Sequence, residues 1–152
     1  MLLADIEVVY DYLVNNLQIP SKKIILYGRS LGCGPSIHIA SKCDVAGLII
    51  QSGFTSTYRV ILDLRWDLPG DQFLNLKKIK NVDCLVFIIH GTNDEIVPFE
   101  HSIDLWKSSK NKVAPLWLKG IGHNNMEMAH KIMFRRIKDF LQMIRQQQQI
   151  GY

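Results

Sequence analysis

The chain has 152 residues, 47% hydrophobic and 21% charged, enough for one domain that buries about two thirds of its unfolded surface. No apolar run reaches the roughly 18 residues a membrane span requires, and Asp5 and Glu7 arrive too early for a secretory signal, so the sequence reads as cytosolic or as a piece of something longer. The net charge of +4 is spread over Lys22-Lys23, Lys77-Lys78-Lys80 and Lys107-Lys110-Lys112, a weak steer toward anionic surfaces or acidic partners and no nucleic-acid footprint.

Leu3, Ile6, Val9, Tyr10, Leu13 and Leu17 recur at helical spacing and predict an amphipathic helix that ends near Gln18, before Pro20. Ile24 to Tyr27 follows as a continuous apolar run, the pattern of a strand buried on both faces. Leu31 to Lys42 has helical composition. Val45 to Gln51, Cys84 to His90 and Val113 to Lys119 are three further strands, with a helix over Phe99 to Ser109 before the last of them. A long helix from about Asn125 to Gln147 closes the pattern, and the run Gln146 to Gln149 reads as a solvated, frayed end. Strands alternating with helices predict a parallel, doubly wound α/β sheet. Phe54 to Val82 is too long for a plain crossover and holds the breakers Asp67-Leu68-Pro69-Gly70-Asp71, so it reads as a lid or a crossover with an excursion.

Between the first strand and the second helix stands Gly28-Arg29-Ser30-Leu31-Gly32, a G-x-S-x-G pattern in the strand-to-helix context that a nucleophile elbow needs. Gly28 and Gly32 let the backbone turn sharply, which pushes Ser30 into a strained conformation with its hydroxyl exposed. A serine hydroxyl is a poor nucleophile until an imidazole takes its proton and a carboxylate orients that imidazole. His90-Gly91-Thr92-Asn93-Asp94-Glu95 follows the third strand, and Gly120-Ile121-Gly122-His123-Asn124 follows the fourth. Each lies just past the carboxyl end of a parallel strand, where open α/β sheets gather their sites. Ser30, Asp94 and His123 therefore occur in α/β-hydrolase order. Glu95 competes with Asp94, and His101 and His130 compete with His123. Those two histidines fall within predicted helices, whereas the glycine-flanked loop of His123 permits the necessary reach. His90, at the strand end, is expected to support the acid loop by hydrogen bonding.

The Leu31 N–H is the expected oxyanion-hole donor. Its usual second donor comes from a loop upstream of the first residue of this sequence, so the chain reads as an impaired catalyst or a catalytic fragment. Cys33, Cys43 and Cys84 make an odd count without C-x-x-C spacing and are expected to be reduced packing residues. Cys33, three residues past the serine, has a redox-sensitive thiol as its alternative reading. No metal or cofactor is expected.

Leu26 to Gly32, His90 to Pro98 and Gly120 to Asn124 together resemble the α/β-hydrolase domain-containing protein 17 family. The similarity continues through Ser52-Gly53-Phe54, Asp71 to Asn75 and Pro115-Leu116-Trp117. The resemblance implies a serine hydrolase that depalmitoylates proteins, with Ser30 as nucleophile, His123 as base, Asp94 as its orienter and Leu31 at the oxyanion. It also implies an amino-terminal half with the first strands, and a cysteine-rich, lipid-modified leader that reaches membranes, both outside this sequence.

The expected fold is thus an α/β-hydrolase-type three-layer sandwich with a mostly parallel sheet, lacking the amino-terminal strands. It spans residues 1–145, with 54–82 as the lid or excursion and 146–152 as a polar tail. The expected substrate is an acyl ester or thioester, in particular an S-palmitoylated protein, met in the cytoplasm or at a membrane that the upstream region contacts peripherally. An open edge on the first strand predicts self-association. The alternatives are an impaired hydrolase acting as an interaction protein and an oligopeptidase-like serine peptidase.

Overall fold

In the computed structural model, residues 2–57 and 73–150 are described. The Asp67 to Asp71 breakers, and with them most of the expected lid, lie outside the described residues. Helix α1 (Leu2–Asp11) passes into a π-helical turn over Tyr12–Asn16. Strand β1 (Ile25–Arg29) leads through a 3₁₀ turn, Ser30–Gly32, into α2 (Cys33–Ala40). Then come β2 (Gly47–Gln51), the short α3 (Asn75–Lys78), β3 (Leu85–Gly91), α4 (Phe99–Ser108) and β4 (Leu116–Leu118). A 3₁₀ turn, Met126–Ala129, opens α5 (His130–Ile150).

The strands form a four-stranded sheet in the order β1-β2-β3-β4, every pair parallel. Because all strands run the same way, their carboxyl ends meet at one edge, where Arg29 pairs with Gln51, Gln51 with Ile89 and Gly91 with Leu118. The pleat sends alternate side chains to opposite faces. Leu48, Ile50, Val86 and Ile88 pack with Ile37 and Ile39 of α2 and Leu105 of α4, and Ile6 and Tyr10 of α1 lie against this cluster. On the other face Ile49, Phe87 and Ile89 pack against Phe140 and Ile144 of α5, the Phe87 and Phe140 ring centroids 5.5 Å apart. Helices on both sides of a parallel sheet give the three layers expected.

Four local expectations need correction. Strand β1 is not buried on both faces: Tyr27 is 48% exposed, because β1 is the outer strand among the described residues and α5 lies over β2 and β3. Val9 of α1 and Leu17, just past the π-helical turn, face out, so the packed stripe is narrower than the spacing implied. Gly32 adopts an ordinary helical φ of −63°, and a Cβ there meets nothing within 4 Å among the described residues, so the turn does not require glycine at that position. The closing helix runs on to Ile150 through the glutamines. Glutamine is a good helix former, and the Gln148 side-chain amide donates to the Lys22 carbonyl at 2.5 Å.

Candidate active site

Ser30 follows β1 with a φ of +50°, a left-handed conformation that costs a non-glycine residue about 1 to 3 kcal/mol and persists only where its surroundings enforce it. Two neighbours enforce it here. A Cβ on Gly28 would stand 2.6 Å from the Gly32 carbonyl oxygen and 2.7 Å from Cys33 Cα, so only glycine lets the turn fold back on its own strand. The Cys33 thiol reaches the Gly28 carbonyl at 3.2 Å and the Gln51 carbonyl at 3.3 Å, joining the elbow to β2 from below. Burial pushes that thiol's pKa up to about 12, which makes it a packing and hydrogen-bonding group and removes the redox-sensitive reading. The Ser30 side chain is half-buried, and Leu31 is 55% exposed with its amide in the first turn of a helix, where N–H groups have no intrahelical acceptor.

Strain alone does not single out Ser30. Ser52, at the end of β2, has the same φ of +50° but is fully buried, with its amide bound to the Ile89 carbonyl at 3.0 Å and its hydroxyl facing Met126 Sδ. No solvent-borne group reaches it.

The acid and the imidazole meet across the loops that follow β3 and β4. His123 Nδ1 donates to Asp94 Oδ2 at 2.8 Å, with Oδ1 at 3.0 Å. That bond fixes the Nδ1–H tautomer and leaves Nε2 free to accept a proton. Asp94 is itself tied: its Oδ1 accepts the amides of Ile96 at 3.0 Å and Val97 at 2.8 Å. Burial alone raises the Asp94 pKa, but the Val97 amide and the His123 bond outweigh it and hold the carboxyl below its ordinary 3.8. Behind it stands His90, 0% exposed, with Nε2 2.9 Å from the Val97 carbonyl and 3.3 Å from Asp94 Oδ2. Both neighbours are acceptors, so Nε2 carries the proton and Nδ1 accepts from the Ser102 hydroxyl at 2.5 Å. Burial is the main cause that lowers the His90 pKa and keeps the ring neutral. His90 thus takes the supporting position the sequence implied.

The His123 loop also depends on a close approach. A Cβ on Gly91 would lie 2.1 Å from the Ile121 carbonyl oxygen, so glycine at the end of β3 lets the loop lie directly on that strand. The competing residues are placed elsewhere. Glu95 is exposed, His101 Nδ1 sits 2.7 Å from Thr55 Oγ1, and His130 Nδ1 bonds the Glu127 carbonyl at 2.8 Å on the surface.

Asp94 and His123 are therefore brought into direct contact, whereas no hydrogen bond joins Ser30 to His123 among the described residues. Arg29 links the two sides: its Nη2 donates to the His123 carbonyl at 3.1 Å. The sequence offered no signal for this residue, since Arg29 fills a variable position of the motif. A groove of about 310 Å³ runs beside the constellation, lined by Arg29, Gln51, Met126, Phe134 and Ile137 among others, with none of Ser30, Asp94 or His123 in its wall.

Known proteins match this arrangement in sequence and in fold. The chain is 36% identical over 149 residues to α/β hydrolase domain-containing protein aho-3 of Caenorhabditis elegans, a match to 93% of this chain and 43% of that protein. It is 36% identical over 141 residues to α/β hydrolase domain-containing protein 17B of Homo sapiens, covering 92% of this chain and 49% of that protein. The chain spans about half the length of the curated relatives it matches. No protein-family model matches it. Among solved structures, the monoacylglycerol lipase of Paleococcus ferrophilus superposes with a TM-score of 0.69 at 19% identity, over 91% of this chain and 74% of that one. The esterase domain of a Rhodothermus marinus protein superposes with a TM-score of 0.61 at 17% identity, over 80% of this chain and 58% of that one. The fold is that of the α/β hydrolases, and the resemblance to the domain-containing protein 17 family extends over 92% of the chain.

Proposed function

We propose that this chain, of α/β-hydrolase fold and similar over most of its length to α/β hydrolase domain-containing protein 17, carries the catalytic triad of a serine hydrolase. The reaction is cleavage of acyl esters or thioesters. The observation that carries this reading is the buried Asp94 carboxylate holding His123 by Nδ1, in a loop fastened to the residue next to a strained, half-buried serine.

The chemistry follows from those placements. Ser30 Oγ attacks the acyl carbonyl carbon while His123 Nε2 takes the hydroxyl proton, and Asp94 stabilises the imidazolium without itself being protonated. The Leu31 amide donates to the developing oxyanion. Collapse of the tetrahedral adduct breaks the C–S or C–O bond, and the leaving thiolate or alkoxide takes the proton from His123. Water, deprotonated by the same imidazole, then hydrolyses the Ser30 ester and returns the enzyme.

The family resemblance refines the substrate to S-palmitoylated protein, with cleavage in the cytoplasm or at a membrane surface. Among the described residues no helix is long and apolar enough to cross a membrane. The outer edge of β1, unpaired among the described residues, and the exposed Tyr27 of the same strand support self-association of this chain, read as a concentration-dependent sedimentation coefficient.

Steady-state assays on an S-palmitoyl peptide, an acyl ester and a peptide amide test the proposal, with Ser30→Ala as control. Turnover of the thioester and ester that Ser30→Ala abolishes is the expected result. Turnover confined to the amide selects a serine peptidase, and turnover unchanged in Ser30→Ala removes the mechanism.

A further inference from the structure

Strands in a sheet lie about 4.8 Å apart, so β1 and β4, three spacings apart, are separated by roughly 14 Å at the edge where their loops emerge. The loop after β4 must therefore come back across β3 and β2 before His123 can serve a serine on β1. Its position on the acid side is set many times over: the Asn93 amide donates to the Ile121 carbonyl at 3.0 Å, the Gly120 amide donates to Thr92 Oγ1 at 2.9 Å, and His123 itself grips Asp94. On the nucleophile side, among the described residues, the Arg29 bond to the His123 carbonyl is the one hydrogen bond between residues 28–32 and 120–125.

We infer that Arg29 is a positioning residue for catalysis, whose guanidinium sets the distance between the Ser30 hydroxyl and the His123 imidazole. This inference rests on the triad reading above. Its physical basis is reach and geometry. Arg29 shares a strand face with Tyr27 and Ile25, opposite to Gly28, and from there only a long side chain can span to the returning loop. A guanidinium stays charged and presents fixed donors, so its bond to a carbonyl is charge-assisted and directional. Arg29 is exposed, so the bond contributes more to local geometry than to global stability.

Hydrogen exchange and kinetics on Arg29→Met and Arg29→Lys test it. In Arg29→Met, amides 120–125 should exchange about tenfold faster or more, with the thermal midpoint unchanged, and Arg29→Lys should recover most of the protection. The kcat for the thioester should fall about 10- to 100-fold in Arg29→Met at constant KM, because the base is displaced while binding is not, and lysine should restore much of it. Unchanged exchange at 120–125 in Arg29→Met overturns the inference whether or not the chain turns over substrate. So does a loss that follows global unfolding and that lysine does not rescue. Activity that survives Ser30→Ala instead removes the triad reading, and the exchange result still decides whether Arg29 holds the loop.

Discussion

The acid side and the nucleophile side of the constellation are built on opposite principles. Asp94 is held by the amides of Ile96 and Val97 in its own loop, by His123 from the loop after β4 in front and by the buried His90 of β3 behind. Ser30 is held by a backbone conformation it would not choose, by a glycine that nothing larger can replace and by one thiol beneath the turn. One side is redundant and the other is under strain. Loss of a single partner should leave the acid side standing, whereas a single methyl group on the nucleophile side should be felt throughout the elbow.

The largest expected effect breaks the acid side without disturbing its shape. Asp94→Asn keeps the volume but favours the wrong His123 tautomer, and kcat should fall by about 10⁴-fold while the fold is retained by circular dichroism. Next comes Gly28→Ala, whose Cβ would meet backbone atoms of Gly32 and Cys33 that cannot swing aside. Equilibrium denaturation should show a loss of about 3 kcal/mol, and a loss below about 0.5 kcal/mol would show that the elbow is looser than its contacts imply.

A smaller effect sharpens the contrast through pH. The His90 pKa in the folded chain lies below its ordinary 6.5. Between the two values the unfolded chain binds a proton that the folded chain does not, so stability should fall as pH drops through that window. The Asp94 contribution, with its pKa held below 3.8, is present above that value and is lost only at lower pH, as pH falls through the folded value. Urea denaturation at pH 7.5 and 5.5 should therefore show a decrease that His90→Gln reduces. An identical pH dependence in the variant would assign the decrease to other groups. The smallest effect has the opposite sign. Ser30→Gly removes the left-handed strain and should stabilise the chain by about 1 kcal/mol by the same denaturation assay while silencing it, the exchange expected where function maintains an unfavourable φ.

The sheet was legible because its strands are uninterrupted apolar runs such as Leu48-Ile49-Ile50 and Val86-Phe87-Ile88-Ile89, and every expected strand forms within a few residues of its expected bounds. The pairing of Asp94 with His123 followed from their order after parallel strands. Exposure of β1 was not legible, since periodicity reports apolar side chains and is silent on how far a neighbouring helix extends over them. The glycines of the elbow look equivalent in the motif, yet Gly28 faces backbone at contact distance while a Cβ on Gly32 meets nothing within 4 Å among the described residues. Arg29 could not be read at all: its bond to the His123 carbonyl joins positions 94 residues apart, and no local pattern encodes the partner.

The central claim is that Ser30 is a nucleophile activated by this constellation. Intact-mass analysis and peptide mapping after treatment with a fluorophosphonate probe test it most directly, on this chain and on a form extended to the length of its curated relatives, with Ser30→Ala beside each. The account predicts a single adduct, mapped to Ser30 and absent from Ser30→Ala. An adduct that persists in Ser30→Ala, or none on either form, would contradict it.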